Sequence, residues 1–411
     1  MNPSSSGVNR FLYSLVKVVS RCLLTPLMGI RVKPNAQIRR LNGPFLVVAN
    51  HVNLLDPLFA AYAVGSRTIR FVAGEEVFRN GIAHKFARSM GLILRPQMRP
   101  DFSSTRDIIR AIRGDEVVLV FPEGQRSLNG EGWPLQDNLG VLIQKLNVPV
   151  VALKINGGYL SWPRWSKSWI RPGRIEIESR ILFQDREPGD TSVENIMGAI
   201  AEAIYTDDNA WQRGRAKPVR FLSFAPAGGL QNICHRCPKC KRPMTMVGRR
   251  DQLICESCEY RARLLADGRF SDCEFENPAE WTRWQMSFAL SEPNDFGEIV
   301  CRADRRTKDG DREDMGEGRL VVRESELIWE SVEPTGKETK KVRERFSLPK
   351  QGVRAAYGKF FDLYQPRNDR TWTITPQDGR AVMFVLETIE RQLSKLSDSS
   401  ASSDGEASGS V

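Results

Sequence analysis

The stretch VVANHVNLLDPLFAAY (47–62) places His51 at the exit of an apolar run and Asp56 five positions further on. The chain holds only three histidines, so a histidine at such a position calls for an account of its chemistry. An imidazole with a carboxylate on one nitrogen is fixed in one tautomer, and its other nitrogen is then a base. Asp56 followed by Pro57 also reads as a helix N-cap with proline at the first helical position, and the two roles are compatible. About seventy residues later FPEGQRS (121–127) brings Glu123, Gly124 and Arg126 to the exit of a second apolar run. Glycine lets backbone approach a ligand closely, and the planar fork of arginine fits a phosphate.

A second constellation is made of thiols. Five of the eight cysteines lie between Cys234 and Cys258, as CHRCPKC and CESC. Such clustering in a long chain points to metal, not disulfides. Cys237, Cys240, Cys255 and Cys258 give Cys-x2-Cys, fourteen residues, Cys-x2-Cys, which is close to the four-cysteine zinc ribbon pattern. Cys234 with Cys237 is a competing register, and His235 is an outside candidate. A module this small needs its metal to fold, so Zn2+ is expected in a structural role. Nucleic acid is the rival ligand because KCKRP and GRR lie close by, but aromatics for base stacking are scarce between the knuckles, and no nucleic-acid partner is expected.

The elements that must position these groups follow from periodicity. FLVVA, IRFVA, GLILR, VVLVF, VVALKI and RIEIESRILF read as strands. Helices are expected at 57–63, 105–113 and 139–146, with a later one opened by Thr191 and Glu194 as a capping box. That alternation predicts an α/β layer with a largely parallel sheet, whose strand exits on one edge bind ligands. The organisation expected is an N-terminal helical region (1–40), the α/β domain (41–215), a linker (216–230), the ribbon (231–265), a helix plus β-rich domain (266–396) and a disordered tail (397–411). The β-rich part, with a closing amphipathic helix, suits a small barrel of pleckstrin-homology or GRAM type.

Charge is unevenly placed. The formal net charge is +10, and residues 1–100 alone hold 14 Lys and Arg against three acids, so an anionic partner is expected for this part. Arg10, Lys17 and Arg21 interrupt RFLYSLVKVVSRCLLTPLMGI, and no run reaches the roughly 18 apolar residues of a spanning helix. The segment reads as a helix lying in a membrane surface, or alternatively as one packed on its own domain. YLSWPRWSKSWIRPGR (159–174) interleaves tryptophans with basic residues, as an interfacial loop or as one folded onto the domain.

His-x4-Asp at a strand end, with Phe-Pro-Glu-Gly-x-Arg-Ser downstream, resembles the glycerolipid acyltransferase family typified by 1-acyl-sn-glycerol-3-phosphate acyltransferase. Asn50, His51, Asp56 and Pro57 match one block, residues 121–127 a second, and Val148-Pro149-Val150-Val151 a third. The resemblance covers about residues 40–215. It implies a glycerophosphate-acyltransferase-like α/β fold, with His51 as general base oriented by Asp56. It further implies that Arg95 or Arg99, together with Arg126, binds an acceptor phosphate, and that Glu123 and Gly124 shape the acceptor site. GLILRPQMR keeps the family's spacing at neither Arg95 nor Arg99. No metal is expected at this site, since the thioester is already activated. The implied partners are acyl-coenzyme A or acyl-carrier protein, a lysophospholipid, and an anionic membrane surface. The expected location is peripheral, on the cytoplasmic face of a membrane. The implied reaction is acyl transfer to lysophosphatidic acid. The alternatives are another lyso-lipid acceptor or a non-catalytic, zinc-stabilised membrane or scaffold protein.

Overall fold

The computed structural model describes residues 8–65, 67–78, 81–96, 102–136, 138–291, 298–306, 312–323, 326–332, 342–347 and 353–406. Two compact units divide the chain, Met1–Pro226 with Leu265–Arg269, and Ala227–Leu264 with Phe270–Val411.

The first unit is built on seven strands: β1 (Ile30–Val32), β2 (Phe45–Ala49), β3 (Ile69–Gly74), β4 (Ile93–Arg95), β5 (Val117–Val120), β6 (Val150–Asn156) and β7 (Ile175–Phe183). Their order is β1-β7-β6-β2-β5-β3-β4. β6, β2, β5, β3 and β4 run parallel, whereas β7 is antiparallel to β6, and β1 pairs in parallel with β7. The sheet is largely parallel as expected, with a reversed edge.

All five residues of β2 are buried, because helices cover both faces. Phe45, Val47 and Ala49 point to one face, where Tyr13, Ala60 and Ala87 from three helices pack. Leu46 and Val48 point to the other, against Ile108, Ile143, Ile196 and Ile200. Each of the buried Val, Leu, Ile and Phe side chains contributes about 1.5–3 kcal/mol by leaving water. The rigid centre of this sheet delivers residue 50 onward to the site.

Some local details differ from the expectations above. The helix expected to open at Thr191 starts one residue later: Ser192 is the N-cap of Val193–Ile204, its side chain accepting the Asn195 N–H. The helix Gly81–Ser89 and the short strand β1 lack an apolar pattern long enough to be read. The N-terminal helix Arg10–Met28, 19 residues, is long and apolar enough to cross a membrane by length and composition. The apolar length for which the sequence showed no uninterrupted run is thus reached in this helix with Lys17 and Arg21 inside it. Its leucines and valines outweigh those two charges in mean hydropathy.

The second unit opens with four short antiparallel strands, β8 (Met246–Arg249), β9 (Gln252–Cys255), β10 (Arg261–Leu264) and β11 (Phe270–Ser271), in the order β11-β10-β9-β8. The helix Pro278–Ser291 follows, with Asn277 Oδ1 accepting from the backbone N–H of Ala279 and Glu280 as an N-cap should. Seven antiparallel strands come next: β12 (Ile299–Arg306), β13 (Arg312–Val322), β14 (Glu326–Ser331), β15 (Arg343–Ser347), β16 (Arg354–Ala356), β17 (Phe360–Gln365) and β18 (Arg370–Pro376). They are ordered β15-β14-β13-β12-β18-β17-β16 around a core containing Trp329 and Trp372, whose ring centroids lie 5.4 Å apart. The closing helix Ala381–Glu406 buries Val382, Val385 and Ile389 and packs on the helix Pro278–Ser291 and on β13. It runs on through residues 397–406, where the sequence reading places a disordered tail; a helix nucleated on a buried first half propagates at little further cost.

Candidate active site and candidate metal centre

Because β2 and β5 are adjacent and parallel, their exits present His51 and the 121–127 loop side by side. His51 Nδ1 lies 2.8 Å from Asp56 Oδ2. That same oxygen accepts the backbone N–H of Val52 at 2.7 Å and of Asn53 at 2.8 Å. Asp56 is fully buried, so three donors converge on one desolvated oxygen. A carboxylate accepts from Nδ1–H, which leaves Nε2 as the basic nitrogen.

The expected capping role of Asp56 is corrected. It is the first residue of the helix Asp56–Ala63, which has no side-chain cap. Its carboxylate turns back to the loop, where an imidazole and two loop N–H groups supply the donors that a buried carboxylate needs.

The loop between them is pinned from outside as well. Asn50 exchanges hydrogen bonds with the backbone of Ile155, donating through Nδ2 at 2.8 Å and accepting at 2.7 Å, and Asn53 Nδ2 donates to the Gly158 carbonyl at 2.9 Å. The Phe121 ring stacks on the imidazole at 4.2 Å between centroids and 19° between planes. The Ser127 N–H donates to the His51 carbonyl at 2.8 Å. These contacts fix the imidazole from its backbone, its face and its Nδ1 edge, and the side chain remains one-fifth exposed.

Electrostatics follow from this packing. Burial first, then the positive charges of Arg126 and Arg164, outweigh Asp56 and hold the His51 pKa below its ordinary value of 6.5. The imidazole is therefore neutral, and basic, at pH 7. Glu123 is buried and accepts the His51 N–H at 3.3 Å; burial pushes its carboxyl up to about 8. It is a neutral acid at pH 7. Arg126 is lowered to about 10 by burial and by Arg164. Gly124 has φ +70° and turns in the space that the Gln136 side chain would share with any Cβ.

Of the remaining expected residues, Arg95 ends the edge strand β4, exposed, and donates to Gln136 Oε1 at 2.8 Å. Gln136 is held in turn by its N–H to the Pro122 carbonyl. Arg95 thus reaches the 121–127 loop through one side chain. Arg99 lies outside the described residues.

Two participants carried no signal strong enough to be read. Arg164 donates to the Arg126 carbonyl at 3.2 Å, which Trp133 Nε1 also reaches at 3.1 Å. Asp208, raised to about 7 by burial, accepts the N–H of Gly157 at 2.7 Å and of Tyr159 at 3.0 Å, and so secures the turn that holds Asn53. The adjacent Asp207 is a cap pattern legible in TDDNAW; the buried partner beside it is not.

In the second unit the sulfurs of Cys237, Cys240, Cys255 and Cys258 all lie within 4.8 Å of one another. The Cys237–Cys258 and Cys240–Cys255 pairs are separated by 3.6 and 3.7 Å. Four thiolates at the corners of a tetrahedron around zinc, with Zn–S near 2.3 Å, stand about 3.8 Å apart. The two knuckles repeat one backbone design. Lys241 N–H donates to Cys237 O, and Glu259 N–H to Cys255 O, with Lys241 and Glu259 both at positive φ.

Cys234 lies outside this group of four sulfurs, which rules out the register through it. His235 is excluded too, because both ring nitrogens are engaged: Nδ1 accepts the Met244 N–H, and Nε2 lies 3.0 Å from Glu387 Oε2. Gln285 joins that node by donating to Glu387 and accepting the N–H of His235 and Arg236.

Residues 29–156 match the acyltransferase family model. Among solved structures, the crystal structure of the 1-acyl-sn-glycerophosphate (LPA) acyltransferase PlsC from Thermotoga maritima matches with a TM-score of 0.42 at 21% identity. The match covers 51% of this chain and 82% of that one.

Proposed function

With an acyltransferase-family domain at residues 29–156, we propose that the protein transfers a fatty acyl group from an acyl thioester to the free hydroxyl of lysophosphatidic acid. The observation that carries this reading is the neutral imidazole of His51, fixed through Nδ1 on the buried Asp56 carboxylate. Nε2 takes the proton of the acceptor hydroxyl as its oxygen attacks the thioester carbonyl. The imidazolium so formed is stabilised by Asp56, and gives its proton to the departing thiolate. Arg126 and Arg95 bind the acceptor phosphate, and Glu123, uncharged at pH 7, lines the site without repelling it. The donor is acyl-coenzyme A or acyl-carrier protein.

The N-terminal helix serves this chemistry by lying in an anionic membrane surface. Its polar side is spent on its own domain: Lys17 donates to the Gly65 carbonyl, Tyr62 Oη to Ser20 Oγ, and Arg21 sits over the Tyr62 ring. Phe11, Leu15, Val18, Val19, Leu23 and Leu27 are left exposed as one stripe. The four-cysteine centre holds Zn2+ as a structural ion, for which the sulfur spacing is the support.

The test of the reaction is product analysis with purified protein, offering lysophosphatidic acid and lysophosphatidylcholine in parallel. Phosphatidic acid formed from acyl-coenzyme A or acyl-carrier protein supports the assignment. Acylation of the choline lipid alone would replace the acceptor, and no product from any pair would remove the enzyme.

A further inference from the structure

Two segments of the first unit, 165–173 and 220–226, are tied together at their base. Ser168 Oγ donates to the Ala225 carbonyl at 3.1 Å, and Leu222 N–H to the Pro172 carbonyl at 2.9 Å. Beneath them Arg171 is buried, lying over the Trp165 ring and donating to the Pro226 carbonyl at 2.7 Å. Phe221 is buried against Gly173, where any Cβ would strike its ring. Half of the tryptophan-rich loop is therefore folded onto the domain.

From this fixed base three large apolar side chains stand out into solvent: Trp169 at 82% exposure, Phe224 fully exposed and Leu222 at 56%. The polar contacts at their feet hold them there, so their exposure is a built feature of the turn and not fraying.

What they face is indicated by charge and by continuity. Of the basic residues in 157–175 and 209–226, Arg174 and Arg215 pair with Glu176 and Arg213 with Asp207, and Arg171 is buried. Lys167, Lys217 and Arg220 are exposed on the same two segments, within five positions along the chain of Trp169 or Leu222. The N-terminal helix ends at the same place. Its C-cap, Gly29, accepts the Ile175 N–H, and a Cβ on it would collide with the Gly173 carbonyl. The exposed stripe from Phe11 to Leu27 therefore runs towards this turn. Aromatic tips among basic side chains match the headgroup level of a bilayer, and the net positive charge matches anionic lipid.

We propose that Trp169, Leu222 and Phe224 form a wedge that enters the headgroup region of an anionic bilayer and extends the docking stripe of the N-terminal helix. The inference rests on the membrane reading of that helix, and it does not require the acyl-transfer assignment.

The experiment is flotation of the full chain with phosphatidylcholine vesicles with and without about 30% phosphatidylglycerol, comparing wild type with Trp169→Ser/Phe224→Ser. Wild type binds the anionic vesicles, and the variant binds them at least ~10-fold more weakly. A Leu222→Ser variant gives an intermediate loss. Quenching of wild-type fluorescence by lipids brominated near the headgroup exceeds that of Trp169→Ser. All three variants keep the wild-type melting temperature, since the residues are exposed. Equal binding of wild type and double variant, with no difference in quenching, overturns the wedge while leaving the helix stripe as the docking element. No binding by wild type overturns both. Acyl transfer to a monomeric short-chain acceptor, measured on the same samples, reports separately on the enzyme.

Discussion

His51 and Asp56 are joined by a 2.8 Å contact in which the carboxylate oxygen is already committed to two backbone N–H groups of the intervening loop. The ring is therefore oriented by a group that the loop itself immobilises, and loop geometry and base orientation are one property.

Replacing Asp56 with asparagine separates these roles. An amide offers one neutral acceptor and an added donor in place of the carboxylate, so the stabilised tautomer and the stabilised imidazolium are both lost. We expect kcat to fall by on the order of 10²-fold or more with little change in acceptor KM. The melting free energy should fall by about 1–3 kcal/mol for the disturbed buried donors. Single-turnover kinetics and thermal unfolding check the two parts; a kcat within about threefold of wild type would contradict the orienting role.

The pH profile should be bell-shaped. His51 acts when deprotonated and its pKa lies below 6.5, so kcat/KM rises on an acid limb below that value. Glu123 titrates at about 8, and its ionisation sets a negative charge near Asp56 and the acceptor phosphate, so the rate falls on an alkaline limb there. Glu123→Gln keeps a neutral acceptor for the His51 N–H and should abolish the alkaline limb while sparing the acid one. An alkaline limb that survives in this variant would assign it to another group.

Gly124→Ala tests the turn. A Cβ at φ +70° would meet the Gln136 amide, the side chain that holds Arg95. Beyond about 1–2 kcal/mol of backbone strain, the displaced Gln136 should release Arg95. Acceptor KM should rise by roughly tenfold with the donor KM unchanged. Equal KM values for acceptor in mutant and wild type would detach Arg95 from phosphate binding.

For the ribbon, the expected zinc content is one ion per chain, lost in Cys240→Ser and Cys258→Ser and retained in Cys234→Ser. Because metal binding supplies folding free energy, chelation should unfold the ribbon strands. Metal analysis with hydrogen exchange over residues 237–264 checks both. Retention of zinc by Cys258→Ser would break the assigned set.

How far the sequence carried this account depends on the range of each interaction. The alternating strands and helices, the spacing of His51 from Asp56, and the two Cys-x2-Cys knuckles are local patterns, and the fold reproduces their geometry. The α/β domain, the four-cysteine cluster and the β-rich part were all legible for that reason. The capping role of Asp56 was misread because its partners are decided by burial, which no local pattern reports. Arg164 and Asp208 reach the site from segments after β6, and they were invisible because their roles depend on how distant backbone turns meet. The antiparallel direction of β7 was equally hidden, since an apolar run states that a strand is buried and not which way it runs.

The central claim is tested most directly by acyl transfer with labelled acyl-coenzyme A and lysophosphatidic acid in mixed micelles, comparing wild type with His51→Ala. The prediction is that wild type forms phosphatidic acid and that the variant, with unchanged melting temperature and zinc content, loses at least ~10³-fold of that rate. A folded His51→Ala protein that transfers the acyl group at the wild-type rate would contradict His51 as the base.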